Sequence, residues 1–130
     1  KITAQSAQFF DPGKAALTDE AQNVINRVGE VLKVKANDFI ILVEGHTDDV
    51  PINTPTFPSN WELSLKRATE VVHLFEDMGL PHTNLRPVGL ADVQPLVNVE
   101  GLKDDELSNA RAKNRRIIIR LQKKLPPRVK

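Results

Sequence analysis

The sequence predicts an α/β fold: a two-layer sandwich with helices packed on one face of a mixed sheet, in the order βαβαβ(loop)β. Three observations lead there. Two stretches repeat apolar residues at helical spacing behind suitable caps, two runs are dense in β-branched residues, and the two kinds of segment alternate along the chain. Crossovers between parallel strands of such a sheet are expected to be right-handed.

Residues 2–10 alternate small and apolar positions and read as a modest strand, closed by the turn signal Asp11-Pro12-Gly13. Thr18 is placed to cap a helix. Asp19 and Glu20 suit the helix's positive end, and Ala21, Val24, Ile25, Val28 and Leu32 form one apolar stripe, interrupted by Gly29 at a small cost. Phe39-Ile40-Ile41-Leu42-Val43 is a continuous apolar run, expected to be a strand buried on both faces and to stop at Glu44-Gly45. Residues 46–59 are polar and broken by Pro51, Pro55 and Pro58 into a loop. Ser59 or Asn60 then caps a second helix, with Ala68, Val71, Val72, Phe75 and Met78 on its apolar face and Gly79 at the left-handed stop position. After a connector at 81–84, residues 85–91 read as a third strand, 92–110 as a long acidic loop or short helix, and 116–121 as the last strand. The expected domain runs over residues 1–122, with 1–20 as a linker or rearranging segment, and residues 123–130 form a basic tail without regular structure.

The length of 130 residues suits one domain, and a chain of this size buries roughly two-thirds of its unfolded surface. The absence of cysteine excludes disulfides, cysteine zinc sites and thiol chemistry. No run approaches the ~20 apolar residues of a membrane span. The chain starts at Lys1 rather than at methionine, so it is expected to be cut from a longer protein, with any anchor upstream. Its net charge of +1 is unevenly placed: residues 1–110 hold nine basic and seventeen acidic side chains, and residues 111–130 hold nine basic and none acidic. Such an end can meet phosphate-rich polymers or a membrane surface, but a basic final strand plus a solvated tail is the simpler reading. No aromatic residue follows Phe75 to stack on bases, so no nucleic-acid partner is expected.

The densest polar cluster, Glu44-Gly45-His46-Thr47-Asp48-Asp49, follows the apolar strand directly, at the edge where open α/β sheets bind ligands. On the second helix, Asn60 and Arg67 lie seven residues apart, within ~20° of two full turns, and so share a face with Ser64. If that face borders the 46–49 loop, Asp48 and Arg67 offer opposite charges to one cleft. Such a cleft complements a zwitterion, whose ammonium meets Asp48 and whose carboxylate forks onto Arg67. The alternative is a plain Asp48–Arg67 salt bridge. Arg67→Ala is expected to leave the fold intact, because a partly exposed cleft charge adds little stability. A metal site at His46, Asp48 and Asp49, or a Glu44/Asp48 acid–base pair, lacks specific spacing, and no phosphate loop or nucleophile elbow is present, so no enzyme, cofactor or metal is expected. His46 is instead expected to orient the loop through hydrogen bonds. Phe57, Pro58 and Trp61 read as a hydrophobic lid over the loop or, less readily, as a sugar platform. The donors of Asn114-Arg115-Arg116 supplement Arg67 or solvate an edge.

Glu44-Gly45-His46-Thr47-Asp48, Asn60-Trp61-Glu62-Leu63-Ser64-Leu65-Lys66-Arg67-Ala68, Gly79, Val88-Gly89 and Asn114-Arg115-Arg116-Ile117 together resemble the signature of OmpA-like peptidoglycan-binding domains, over nearly the whole chain. Asp48-Asp49-Val50-Pro51-Ile52 followed by 57–64 is most similar to the flagellar stator B subunits, the MotB/PomB group. The resemblance implies the OmpA-like form of the sandwich and a periplasmic domain of an inner-membrane-anchored protein. It implies a homodimer, joined through an absent transmembrane segment to a stator A subunit, that grips the cell wall so that torque acts against a fixed point. The alternative it leaves is a general wall tether of the OmpA or lipoprotein type. It also implies that Asp48 and Arg67 hold the diaminopimelate of the peptide stem, with Asn60, Leu63, Asn114 and Arg115 lining the groove. An asparagine that some relatives carry after the first strand is replaced around Gly13, which leaves a backbone contact there or none. Residues 98–109 are longer than the family pattern, with no role implied.

Overall fold

The computed structural model describes residues 2–4 and 9–124. The chain forms β1 (Ile2–Ala4), α1 (Asp19–Lys33), β2 (Phe39–Gly45), α2 (Asn60–Asp77), a 3₁₀ turn (His82–Asn84), β3 (Leu85–Gly89), α3 (Asp104–Asn114) and β4 (Ile117–Lys123). One mixed sheet has the order β1-β4-β2-β3: β2 runs parallel to β3, and β4 antiparallel to both β1 and β2.

Local chemistry sets the helix ends. Thr18 Oγ1 accepts from Ala21 N at 3.2 Å, as its spacing predicts. Ser59, not Asn60, is the second cap: its hydroxyl accepts from Trp61 N and donates to the carboxylate of Glu62, three residues on. Gly79 follows at φ +94°.

The core lies between the helices and one face of the sheet. Ile41 and Val43 of β2, Ile117 and Ile119 of β4 and Leu85 meet Ile25 and Leu32 of α1, Val71 and Phe75 of α2, and the pair Phe9 and Phe10. The expectation that β2 is buried on both faces is corrected here. Ile40 and Leu42 alternate onto the other face, where no helix of the described residues covers them, and border a shallow basin with Val88, Arg86 and Lys123. A continuous apolar run therefore served one buried and one half-buried face.

Three further differences bear on the site. Of the loop or short helix expected over 92–110, the helix forms, as α3, and runs on to Asn114, and β3 stops at Gly89 rather than at residue 91. β4 continues through Lys123, which pairs with Phe39, while residues 125–130 of the expected tail lie outside the described residues. Of the first strand expected over 2–10, β1 covers Ile2–Ala4, residues 5–8 lie outside the described residues, and Phe9 and Phe10 are buried core residues. Among the described residues, no helix is long and apolar enough to cross a membrane.

Gly45 and Gly89 face each other across β2 and β3, and α2 rests on them. A Cβ on Gly45 would lie 2.1 Å from Ser64 O, and one on Gly89 2.7 Å from Leu65 N. Ser64 Oγ locks the contact by accepting from Ala91 N at 3.0 Å. This close approach brings Arg67, one turn further along α2, against the loop after β2.

Candidate functional site

Beyond Gly45 the chain continues as a braced extension of the strand: His46 N donates to Arg116 O at 3.0 Å and Thr47 N to Ala91 O at 2.9 Å. Asp48 then turns the chain by accepting Val50 N on Oδ1 at 3.1 Å. Its other oxygen accepts from Arg115 Nη1 at 2.7 Å, and both side chains are about nine-tenths buried.

The structure brings Asp48 and Arg67 to one pocket but does not pair them. Arg67 is fully buried. Its Nε donates to Lys14 O at 2.8 Å, Nη1 to His46 O at 3.3 Å and Nη2 to Asp11 O at 3.2 Å, and its guanidinium lies 4.6 Å from the centre of the Phe10 ring. Burial pulls its pKa down to about 10, opposed by Asp48 and reinforced by Arg115, so it stays charged at pH 7. The Asp48 partner is Arg115, which also donates from Nε to Phe10 O at 3.0 Å. The expectation of a partly exposed Arg67 is therefore corrected: this side chain staples the 11–14 turn to the 46–48 loop. The reason is Phe10 and the turn after it, which cover the guanidinium.

The pocket encloses about 110 Å³. Pro12 and Gly13 come from the first turn, Asp48, Val50, Pro51 and Ile52 from the loop, and Asn60, Leu63 and Arg67 from α2. Asn60 holds the loop by donating from Nδ2 to Val50 O at 3.2 Å. Gly13, at φ +69°, contributes backbone to the wall. A guanidinium carries five N–H donors, and three of Arg67's are committed to carbonyls, so two stay uncommitted. Asp48 accepts one N–H on each oxygen and keeps acceptor capacity for an ammonium. The arrangement can therefore hold opposite charges side by side.

Other expected site residues sit elsewhere. Asn114 is buried and clamps the backbone of Val97, donating to Val97 O at 3.0 Å and accepting Val97 N at 2.8 Å. Arg116 ties down the same loop through Asn114 O and Gln94 O, so it neither joins the cleft nor solvates an edge. Trp61 is half exposed and Pro58 exposed, which corrects the expected lid. One pair escaped the sequence reading: Arg111 of α3 grips Asp49 through Nε and Nη2 at 2.9 and 3.0 Å and holds that carboxyl below its usual pKa. The only signal was an arginine one turn before Arg115, just past a segment read as a loop or short helix.

His46 anchors the loop through its backbone, not its ring. The ring is wholly buried, 3.5 Å from Glu44, and neither nitrogen has a hydrogen bond. Burial first, then the nearby Arg116, lowers its pKa to about 4, against a partial pull upward from Glu44. Because the unfolded chain binds this proton near pH 6.5, stability should be greatest above that value and fall by roughly 3 kcal/mol as pH drops to 4. Denaturant melts at pH 7, 5.5 and 4 should show this slope, and His46→Gln should flatten it.

Comparison with known proteins fits this geometry. Residues 9–115 match the OmpA family. Over 123 residues the chain is 36% identical to the uncharacterized protein YtxE of Bacillus subtilis, covering 94% of this chain and 48% of that protein. It is 31% identical over 117 residues to motility protein B of the same organism, covering 89% and 42%. The chain thus spans about half the length of the curated relatives it matches. Among solved structures, the cell wall anchor of the T6SS from Pseudomonas aeruginosa superposes with a TM-score of 0.74 at 30% identity, over 94% of this chain and 80% of that one. The resemblance seen in the motifs holds for both the fold and the likeness to motility protein B. The match across 9–115, which spans the glycine platform, the Asp48 loop, α2 and Arg115, shows that the chain belongs to the OmpA family.

Proposed function

We propose that this chain is a non-catalytic peptidoglycan-binding module that anchors a flagellar stator to the cell wall. The observation that carries the reading is the juxtaposition of Asp48 and Arg67 in the lining of one pocket, each with hydrogen-bonding capacity left uncommitted. In this reading the free end of diaminopimelate enters the pocket: its ammonium meets Asp48, its carboxylate meets Arg67, and Leu63 and Asn60 frame the methylene chain. Arg115 sets the position of the Asp48 carboxylate. The domain lies on the periplasmic side of an inner-membrane-anchored protein, works as a dimer and meets its stator A subunit through a segment outside this chain. Likeness to motility protein B, together with the loop over 50–62, supports the motor role. Likeness to the T6SS wall anchor supports the alternative, a wall tether without a motor.

Co-sedimentation with isolated sacculi tests the shared part of both readings. Wild type should pellet with the wall. Asp48→Asn, with circular dichroism confirming its fold, should bind at least tenfold more weakly, since it loses one charge-assisted contact. Equal pelleting of the two would overturn the site.

A further inference from the structure

A second depression of about 330 Å³ adjoins the first pocket, sharing Pro12, Asp48 and Val50 with it. Asp104, Leu107, Ser108 and Arg111 of α3 complete it, together with Arg115. Both guanidiniums are fixed in place by only part of their donor sets. Arg111 commits Nε and Nη2 to Asp49, and Arg115 commits Nε to Phe10 O and Nη1 to Asp48. Arg111 Nη1 and Arg115 Nη2 have no hydrogen-bond partner among the described residues. Two preset guanidinium edges beside a hydroxyl form an anion receptor whose rigidity comes from the Asp49 and Asp48 pairs. Asp104, held at φ +51° at the start of α3, adds an acceptor without an ionic partner among the described residues. A carboxylate next to an amide N–H answers both: the anion takes the arginines and the N–H takes Asp104.

We propose that this depression binds a second carboxylate of the peptide stem, so that α3 reads the part of the stem adjoining the zwitterion held between Asp48 and Arg67. The inference rests on the wall-binding reading above. It gives α3 a binding role, and it makes Asp49 a positioning residue for Arg111. Two stem groups supply this chemistry: the α-carboxylate of the γ-linked glutamate and, where the stem ends at diaminopimelate, the carboxylate at that residue's peptide-linked end. The wall-binding reading uses neither.

Calorimetric titration of the chain with synthetic stem tripeptides separates the possibilities. The probes are L-Ala-γ-D-Glu-diaminopimelate, the same peptide amidated at the glutamate α-carboxylate, and the same peptide amidated at the peptide-linked carboxylate of diaminopimelate. Wild type should prefer the unamidated tripeptide about tenfold over one amidated form, the size expected of a charge-assisted contact, and the form that loses affinity identifies the group. In Arg111→Gln that ratio should fall to within about twofold, and Asp49→Ala, which keeps the Arg111 charge but releases its grip, should lower it as well. Equal binding of all three peptides by wild type, or an unchanged ratio in Arg111→Gln, overturns the inference while leaving the zwitterion pocket standing. If no stem peptide binds and free diaminopimelate fails to compete with sacculi, the underlying reading falls and this inference falls with it.

Discussion

Arg67→Ala is expected to destabilise the fold by about 4 kcal/mol and to abolish wall binding at the same time, because the buried His46 carbonyl and the half-buried carbonyls of Asp11 and Lys14 lose their donor and a cavity replaces the guanidinium. Lys14 O, His46 O and Asp11 O converge on this one side chain from two separate loops, and nothing else tethers the 11–14 turn to His46 among the hydrogen bonds described. Arg67→Met separates the contributions. It refills most of the volume and keeps contact with Phe10, so it should recover the cavity part of the loss, about a third, while the carbonyls stay unpaired. Arg67→Lys should do little better than Met, since one ammonium cannot span three carbonyls fixed by a planar fork. Chemical denaturation of the three variants measures this ladder. An alanine variant as stable as wild type would mean that water reaches those carbonyls and that Arg67 is an ordinary cleft charge.

Gly45→Ala is expected to cost at least about 3 kcal/mol, since its Cβ would sit 2.1 Å from a backbone oxygen of α2, where no side chain can rotate away. The helix must lift, and with it go Leu63, Arg67 and the Ser64 contact to Ala91. Wall binding should therefore fall in proportion to the displacement even under conditions where the variant is folded. Gly101→Ala is the control. Gly101 has φ +79° but open space around it, so alanine there adds backbone strain alone, about 1 kcal/mol, and should leave wall binding intact. Thermal melts of the two variants side by side distinguish steric displacement from strain.

These two residues also show what the sequence made legible. Caps, apolar stripes and strand runs located α1, α2, β2 and β4 because each signal is local: Thr18 and Ser59 act within three residues of themselves. The nearness of Asp48 to Arg67 was legible for the same reason, as helical spacing on α2 beside a loop that must follow β2. What the sequence did not carry was the third dimension of the contacts. The roof that Phe10 and the 11–14 turn place over Arg67 depends on partners more than fifty residues away. Helix α3 was legible only as one of two alternatives, loop or short helix, because its charged residues leave no apolar stripe; it is held by single polar contacts such as Arg111 to Asp49 and Asn114 to Val97. Glycine at 45 and 89 read as strand ends, although packing against α2 is what demands them.

The central claim is that the pocket between Asp48 and Arg67 receives the zwitterionic end of diaminopimelate, and amide NMR during titration with free meso-diaminopimelate tests it most directly. The account predicts saturable shifts confined to the Gly13 turn, Asp48 to Ile52 and the Asn60 to Arg67 stretch, absent in Asp48→Asn. Shifts centred instead on the uncovered sheet face around Ile40, Leu42 and Arg86, or no shifts at millimolar ligand, would contradict it.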